Sequence, residues 1–178
     1  MVFLIATEAT LFALLLFVDL YLRSNSTRWP PKPVEDPELV LTTIRSVVLI
    51  GSSIPVALAA RAFARSDQVA ARRWLLVTMA MGTVFLAGHV QEYLKIWPEF
   101  TVHTDAYGSI FYTVTGLHAL HLIVGLGVLM YVWVQSLRGR YDRVGEPTAA
   151  TAGVLYWHFV DVVWVFVYVT LYLSVRLR

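Results

Sequence analysis

Three pairs of ionisable side chains stand out because each repeats one spacing: His89 and Glu92, His118 and His121, His158 and Asp161. Residues three apart share one side of a helix, so each pair can present its polar atoms to a single neighbour. Histidine with a carboxylate, or with a second histidine, is the raw material of a metal site. Di-iron carboxylate bundles use inward glutamates and Glu-x-x-His pairs from facing helices. A fourth acid, Glu8, has no polar partner three or four residues away on its own segment. That isolation suits a proton-titrating or lipid-sensing side chain.

The elements that must position these groups are apolar. Of the 178 residues 58% are hydrophobic and 15% charged, against about half and a quarter in an ordinary soluble domain. Crossing a hydrocarbon layer ~30 Å thick takes about 20 apolar residues in helical form. Five such runs are expected, at about residues 2–22, 41–63, 74–95, 107–135 and 149–175, forming one all-α transmembrane domain. Helices are assigned because backbone polar groups at membrane depth must pair within their own segment. The first and third connections hold prolines, and the others are short, so consecutive spans should run antiparallel. The N-terminal stretch lacks a basic leader and a small-residue cleavage site, and is read as a span rather than a signal peptide.

The chain has no cysteine, which excludes disulfides and thiolate-bound zinc or iron–sulfur clusters. Its formal charge of +2 is spread over arginines that flank apolar runs, so nucleic acid is not an expected partner. With the N-terminus cytoplasmic, the inner connections hold Arg61, Arg65, Arg72, Arg73, Arg138, Arg140 and Arg143. The outer side holds Arg23, Arg28, Lys32, Lys95, Arg176 and Arg178. The Arg65–Arg73 cluster tilts the assignment to N-terminus inside.

Depth tests the metal reading. At 1.5 Å per residue, Glu8 and Glu92 are expected roughly 15–20 Å apart along the membrane normal, whereas ligands lie about 2 Å from their metal. His118, His121, His158 and Asp161 fall together near the midplane, where a smaller four-ligand site remains open. The other reading is interhelical hydrogen bonding, worth ~0.6 kcal/mol per contact and up to about 2, with Gly116, Ala119, Gly125 and Gly127 letting neighbouring backbones approach. Arg45 is expected to snorkel to the headgroups, and Asp19 to lie at the membrane interface. Trp29, Trp74, Tyr93, Trp97 and Tyr107 form an expected aromatic belt. Trp29 is also a candidate contact for a lipid headgroup.

Several stretches carry a family resemblance. "YWHFVDVVWVFVY" from Tyr156 resembles the final helix of subunit three of the haem–copper cytochrome oxidases, and "AYGSIFYTVTGLHALHLIVG" resembles its Tyr-Gly-Ser to His-x-x-His run. "ATEATLF" is similar to the family's Ser-Glu-x-x-Phe-Phe segment, "WPP" to its first outer loop, and "QEY" to the end of a middle helix. The motifs occur in family order from Glu8 to Tyr168. The resemblance implies a non-catalytic subunit of a terminal oxidase that reduces oxygen to water, with five helices matching the last five of a seven-helix form. It implies no haem or copper on this chain, both being carried by partner subunits I and II. It further implies bound phospholipid, support of proton uptake, a bacterial plasma membrane, an inside N-terminus and an outside C-terminus.

By the same resemblance Glu8 matches a buried carboxyl that reacts with a carbodiimide. The polar and proton-linked set is then Glu8, His89, Glu92, His118, His121, His158 and Asp161, read as interior contacts rather than ligands, with His118 and His121 close to His158 and Asp161. Trp29, Arg138 and Arg140 are the lipid candidates. The chain departs from the family at Arg45, where asparagine is usual, at His89 for glutamine, and at Thr151 for glutamate. The alternatives are an accessory subunit of a nitric oxide reductase and a di-metal membrane enzyme.

Overall fold

The computed structural model describes residues 1–27, 29, 39–97, 101–141 and 148–174. It consists of α1 (Val2–Ser24), α2 (Leu39–Gly51), α3 (Ser53–Ala64), α4 (Gln68–Ile96), α5 (Ala106–Leu137) and α6 (Thr148–Val167), the last continued by a π-helical turn, Tyr168–Leu173. Five helical stretches are long and apolar enough to cross a membrane, with α2 and α3 sharing one and α6 and the π turn another. Most of the first connection lies outside the described residues, as do Arg28, Lys32, Arg143, Arg176 and Arg178 of the charge assignment.

The second span departs from the single helix expected over 41–63, because it is interrupted at Ser52. Pro55 has no N–H to give the carbonyl four residues earlier, at Gly51, so the ladder is broken at that point. On either side of that gap the ladder goes on, Ser52 N–H bonding the carbonyls of Val48 and Leu49 and Val56 N–H that of Ser52. The third span starts at Gln68, six residues before the apolar run does at Trp74. Asp67 caps it, its carboxylate accepting from Ala70 N–H at 3.0 Å. Asp105 caps α5 in the same manner, accepting from Gly108 N–H at 2.8 Å.

The middle of the bundle is α6, which packs on α1, α2, α3 and α5. Trp157 and Trp164 are fully buried, and seven residues place both on one side of the helix. Trp157 Nε1 donates to Ser52 Oγ at 2.8 Å and Trp164 Nε1 to Ser46 Oγ at 2.9 Å. These two bonds fix α6 antiparallel to α2 and α3. Thr43 Oγ1 and Tyr168 Oη, 2.6 Å apart, extend the same register. Room for Trp157 comes from glycines: a Cβ on Gly82 of α4 would meet its ring at 2.6 Å, and one on Gly125 of α5 at 3.1 Å.

Arginines tie the two ends of the bundle. Arg23 of α1 donates to Ser174 Oγ at 2.5 Å and to the Ser174 carbonyl at 2.6 Å. At the other end Arg72 Nε donates to Ser136 Oγ at 2.9 Å, and Ser136 Oγ donates to Gln68 Oε1 at 3.0 Å. Only Phe12 and Asp19 of α1 are buried, so that helix is attached along a narrow line.

Gly82→Val should destabilise the detergent-solubilised chain by the about 1–3 kcal/mol typical of overpacking, read as a lower thermal unfolding midpoint. Gly127→Ala, with nothing within 4 Å of the added carbon, should not lower it, since alanine is the better helix former. The comparison is read from paired melting curves.

Candidate functional site

The polar residues singled out above fall into three separate clusters, each set by the neighbour its helix face meets. In the first, Glu8 of α1 meets His121 of α5, with Oε2 and Nε2 3.1 Å apart. Phe12 lies edge-on to the imidazole at 5.1 Å between centroids. Nδ1 of His121 donates to the Leu117 carbonyl at 2.7 Å. A neutral ring with its hydrogen on Nδ1 offers only a lone pair at Nε2. The contact with Glu8 therefore carries one proton, either on the acid and donated to Nε2, or on the imidazole and donated to the carboxylate. Glu8 keeps 27% of its side-chain surface exposed and His121 12%, so the pair sits at the edge of the bundle rather than in its core.

The second cluster joins α3 and α6. Ser53 Oγ donates to Asp161 Oδ2 and lies 3.1 Å from His158 Nδ1. Asp161 is buried, and its Oδ1 has no hydrogen-bond partner among the described residues. His158 is partly exposed. This is not a nucleophilic triad. The serine gives its hydrogen to the aspartate, whereas a nucleophile's base must be the histidine, itself oriented by the acid.

The third lies between α2, α4, α5 and α6. His89 and Glu92 are buried, but their nearest polar atoms are 3.9 Å apart, beyond a hydrogen bond. Ring Nε2 of His89 and both ring nitrogens of His118 are without hydrogen-bond partners among the described residues. Trp164 packs on His118 with centroids 4.8 Å apart, and Phe85 lies edge-on at 6.1 Å. Tyr93 Oη and Thr115 Oγ1, 2.5 Å apart, close the cluster on the α5 side. An imidazole in an aromatic box is a packing element with unspent hydrogen-bonding capacity.

The expectations for His118 and His121, for Arg45 and for Asp19 are corrected. His118 and His121 do not join His158 and Asp161: His121 turns to α1 and His118 to Phe85 and Trp164. Among the described residues no group of three or more His, Cys, Asp or Glu side chains could hold a metal ion. Arg45 does not snorkel outward. Its guanidinium lies over Gly88, donating to that carbonyl at 2.7 Å and to Gln91 Oε1 at 3.3 Å. A side chain at residue 88 would occupy the space Arg45 fills. Asp19 is only 1% exposed rather than interfacial.

Of the lipid candidates, Trp29 packs edge-on against Tyr107 at 5.6 Å, beside the start of α5. Arg138 and Arg140 are exposed at the other end of that 32-residue helix, so the three cannot serve one headgroup. Sequence reasoning missed Ser46, Ser52 and Ser53, which hold Trp164, Trp157 and the His158–Asp161 pair. The signal available for them was a serine run opposite a helix rich in tryptophan.

A hydrophobic carbodiimide delivered from the bilayer should modify Glu8, which is accessible, and spare Glu92, whose side chain is 8% exposed. Peptide mass spectrometry of the labelled chain reads the ratio; equal labelling would contradict the burial described.

A family model described as "Cytochrome c oxidase subunit III" matches residues 1–175. The chain is 35% identical to cytochrome c oxidase subunit 3 of Thermostichus vulcanus, over 99% of this chain and 86% of that protein. It is 37% identical to cytochrome c oxidase subunit 3 of Synechocystis sp., over 96% of this chain and 72% of that protein. A probable cytochrome c oxidase subunit 3 of Nocardia farcinica is 34% identical over 94% of this chain and 83% of its own length.

Proposed function

This chain belongs to the cytochrome c oxidase subunit III family, and from that premise we propose how it serves the complex. It is an integral membrane accessory subunit of a respiratory oxidase, one part of an assembly with other oxidase subunits. Within that assembly it braces the haem-bearing subunit I, beside the donor-binding subunit II, and supports proton uptake for the reduction of oxygen to water. The N-terminus lies on the cytoplasmic side of a bacterial plasma membrane and the C-terminus outside, and phospholipid covers the apolar faces. Haem and copper belong to the partner chains.

The observation that carries this reading is the contrast between the two kinds of polar group. Most buried polar contacts are fixed staples between helices, suited to bracing. The Glu8–His121 pair is different, because two ionisable side chains from α1 and α5 meet at the edge of the bundle. That suits a subunit that accompanies proton chemistry without carrying redox centres. The relatives all bear the oxidase name, which favours this reading over service to a nitric oxide reductase.

Two outcomes test it. Mild extraction through a tag on this chain should recover haem and copper together with a larger polypeptide, and neither metal should remain after the chain is separated. Iron held by the isolated chain would refute the reading. Glu8→Gln should assemble normally, since an amide still reaches His121 Nε2. Its loss of the shared proton should shorten the time for which the complex sustains turnover, read from oxygen-consumption traces. A variant that fails to assemble would show that Glu8 is a structural staple instead.

A further inference from the structure

Four polar side chains deep in the bundle have more hydrogen-bonding capacity than their protein neighbours use. His89, Glu92, His118 and Tyr172 are between 0% and 7% exposed. Among the described residues no hydrogen bond reaches His89 Nε2, Glu92 Oε1, either ring nitrogen of His118, or Tyr172 Oη. Buried polar groups are satisfied in the great majority of proteins, so a set of orphans calls for a cause.

The four are neighbours rather than scattered defects. Trp164 has the His118 ring at 4.8 Å, the His89 ring at 5.9 Å and the Tyr172 ring at 6.0 Å between centroids. Glu92 lies within one turn of His89 on α4, its Oε2 3.9 Å from His89 Nδ1. That gap is too wide for a direct bond and suits a bridged one. The π turn Tyr168–Leu173 brings Tyr172 into the same interior. The rings of Phe85, Tyr93 and Phe111 fence the group.

The chemistry of the set limits what can complete it. A phenol both donates and accepts, an imidazole always has at least one N–H, and a carboxylate oxygen accepts. A cation would serve only lone pairs, and among the described residues no three such side chains could hold a metal ion. An anion would serve only the donors and would meet Glu92. Hydrocarbon serves neither. Water serves both, and a buried water typically makes about three hydrogen bonds to groups the protein leaves unpaired.

We propose that the interior around Trp164 is an internal hydration site, where about two ordered water molecules join His118, His89, Glu92 and Tyr172 into one network. His121 stands outside it, engaged by the Leu117 carbonyl and Glu8. The bundle then contains two separate polar systems, one hydrated within and one direct at its edge. The site is a property of this chain and does not depend on the complex it serves.

The test uses the full chain in lipid bilayers, with nitrogen-15 in its histidine and tryptophan side chains. Solid-state NMR follows magnetisation passing from water protons to each nitrogen. Trp157 is the internal standard, since its indole is equally buried but is satisfied by Ser52. The His118 and His89 ring signals should build up several-fold sooner than that of Trp157. Build-up no faster than Trp157 would overturn the proposal. Stability reads the same site independently. His118→Leu removes both ring nitrogens and should lower the melting midpoint, because the waters lose partners. In a dry interior the change would remove unsatisfied polar atoms and raise the midpoint, and a rise would overturn the hydration site. Tyr172→Phe deletes one hydroxyl, keeps the ring, and gives the same contrast if the His118→Leu chain does not fold.

Discussion

Hydrocarbon gives no hydrogen bonds, so an indole N–H buried in this bundle must find its acceptor on another helix or not at all. Trp157 and Trp164 meet that demand with Ser52 and Ser46, and much of the architecture is arranged around the two bonds. The acceptors lie on the span that breaks at Pro55, and the break leaves Ser52 at the joint between α2 and α3. The rings need space, and Gly82 and Gly125 provide it on α4 and α5. One helix, α6, thereby fixes its distance and register to four others. The apolar side chains around it add dispersion contacts but not direction, since lipid tails are as apolar as they are.

With that frame fixed, the remaining polar groups are sorted by what each can exchange. Arg23 and Arg72 are committed at the two ends, each to a serine that also offers its carbonyl. Arg45 is committed to the backbone of α4. The His89, Glu92 and His118 group is enclosed by aromatic rings, where a change of charge would be costly. The Glu8–His121 pair is different in kind, being small, peripheral and joined by a single contact between two ionisable groups.

The number of spans and their antiparallel order were legible, because they follow from the lengths of apolar runs and the positions of prolines. The interruption at Ser52 was less so: hydropathy runs straight through Pro55, although the proline itself was in view. The early start of α4 was hidden by its charged first turns, with Asp67 as the overlooked cap. Pairing within the site was the least legible part. Three residues along a helix leave about 60° between side chains, so His118 and His121 share a side in projection yet straddle two interfaces once α5 is wedged between α1 and α6. Arg45 illustrates a further limit. Its inward turn depends on a glycine 43 residues away, a relation that no local pattern displays.

The π turn at the end of α6 bears on how such a chain can vary in length. Between Tyr168 and Leu173 the backbone bonds reach one residue further than in an α-helix, as in Ser174 N–H to the Val169 carbonyl at 2.9 Å. One additional residue is thus stored in the helix without a loop. The tryptophan staples below it and the Arg23–Ser174 contact above it can therefore both be satisfied, though an uninterrupted α-helix would bring the two ends into different rotational phase. The turn acts as a vernier between two fixed anchor points, taking up a single-residue difference while still burying Leu171 and Tyr172.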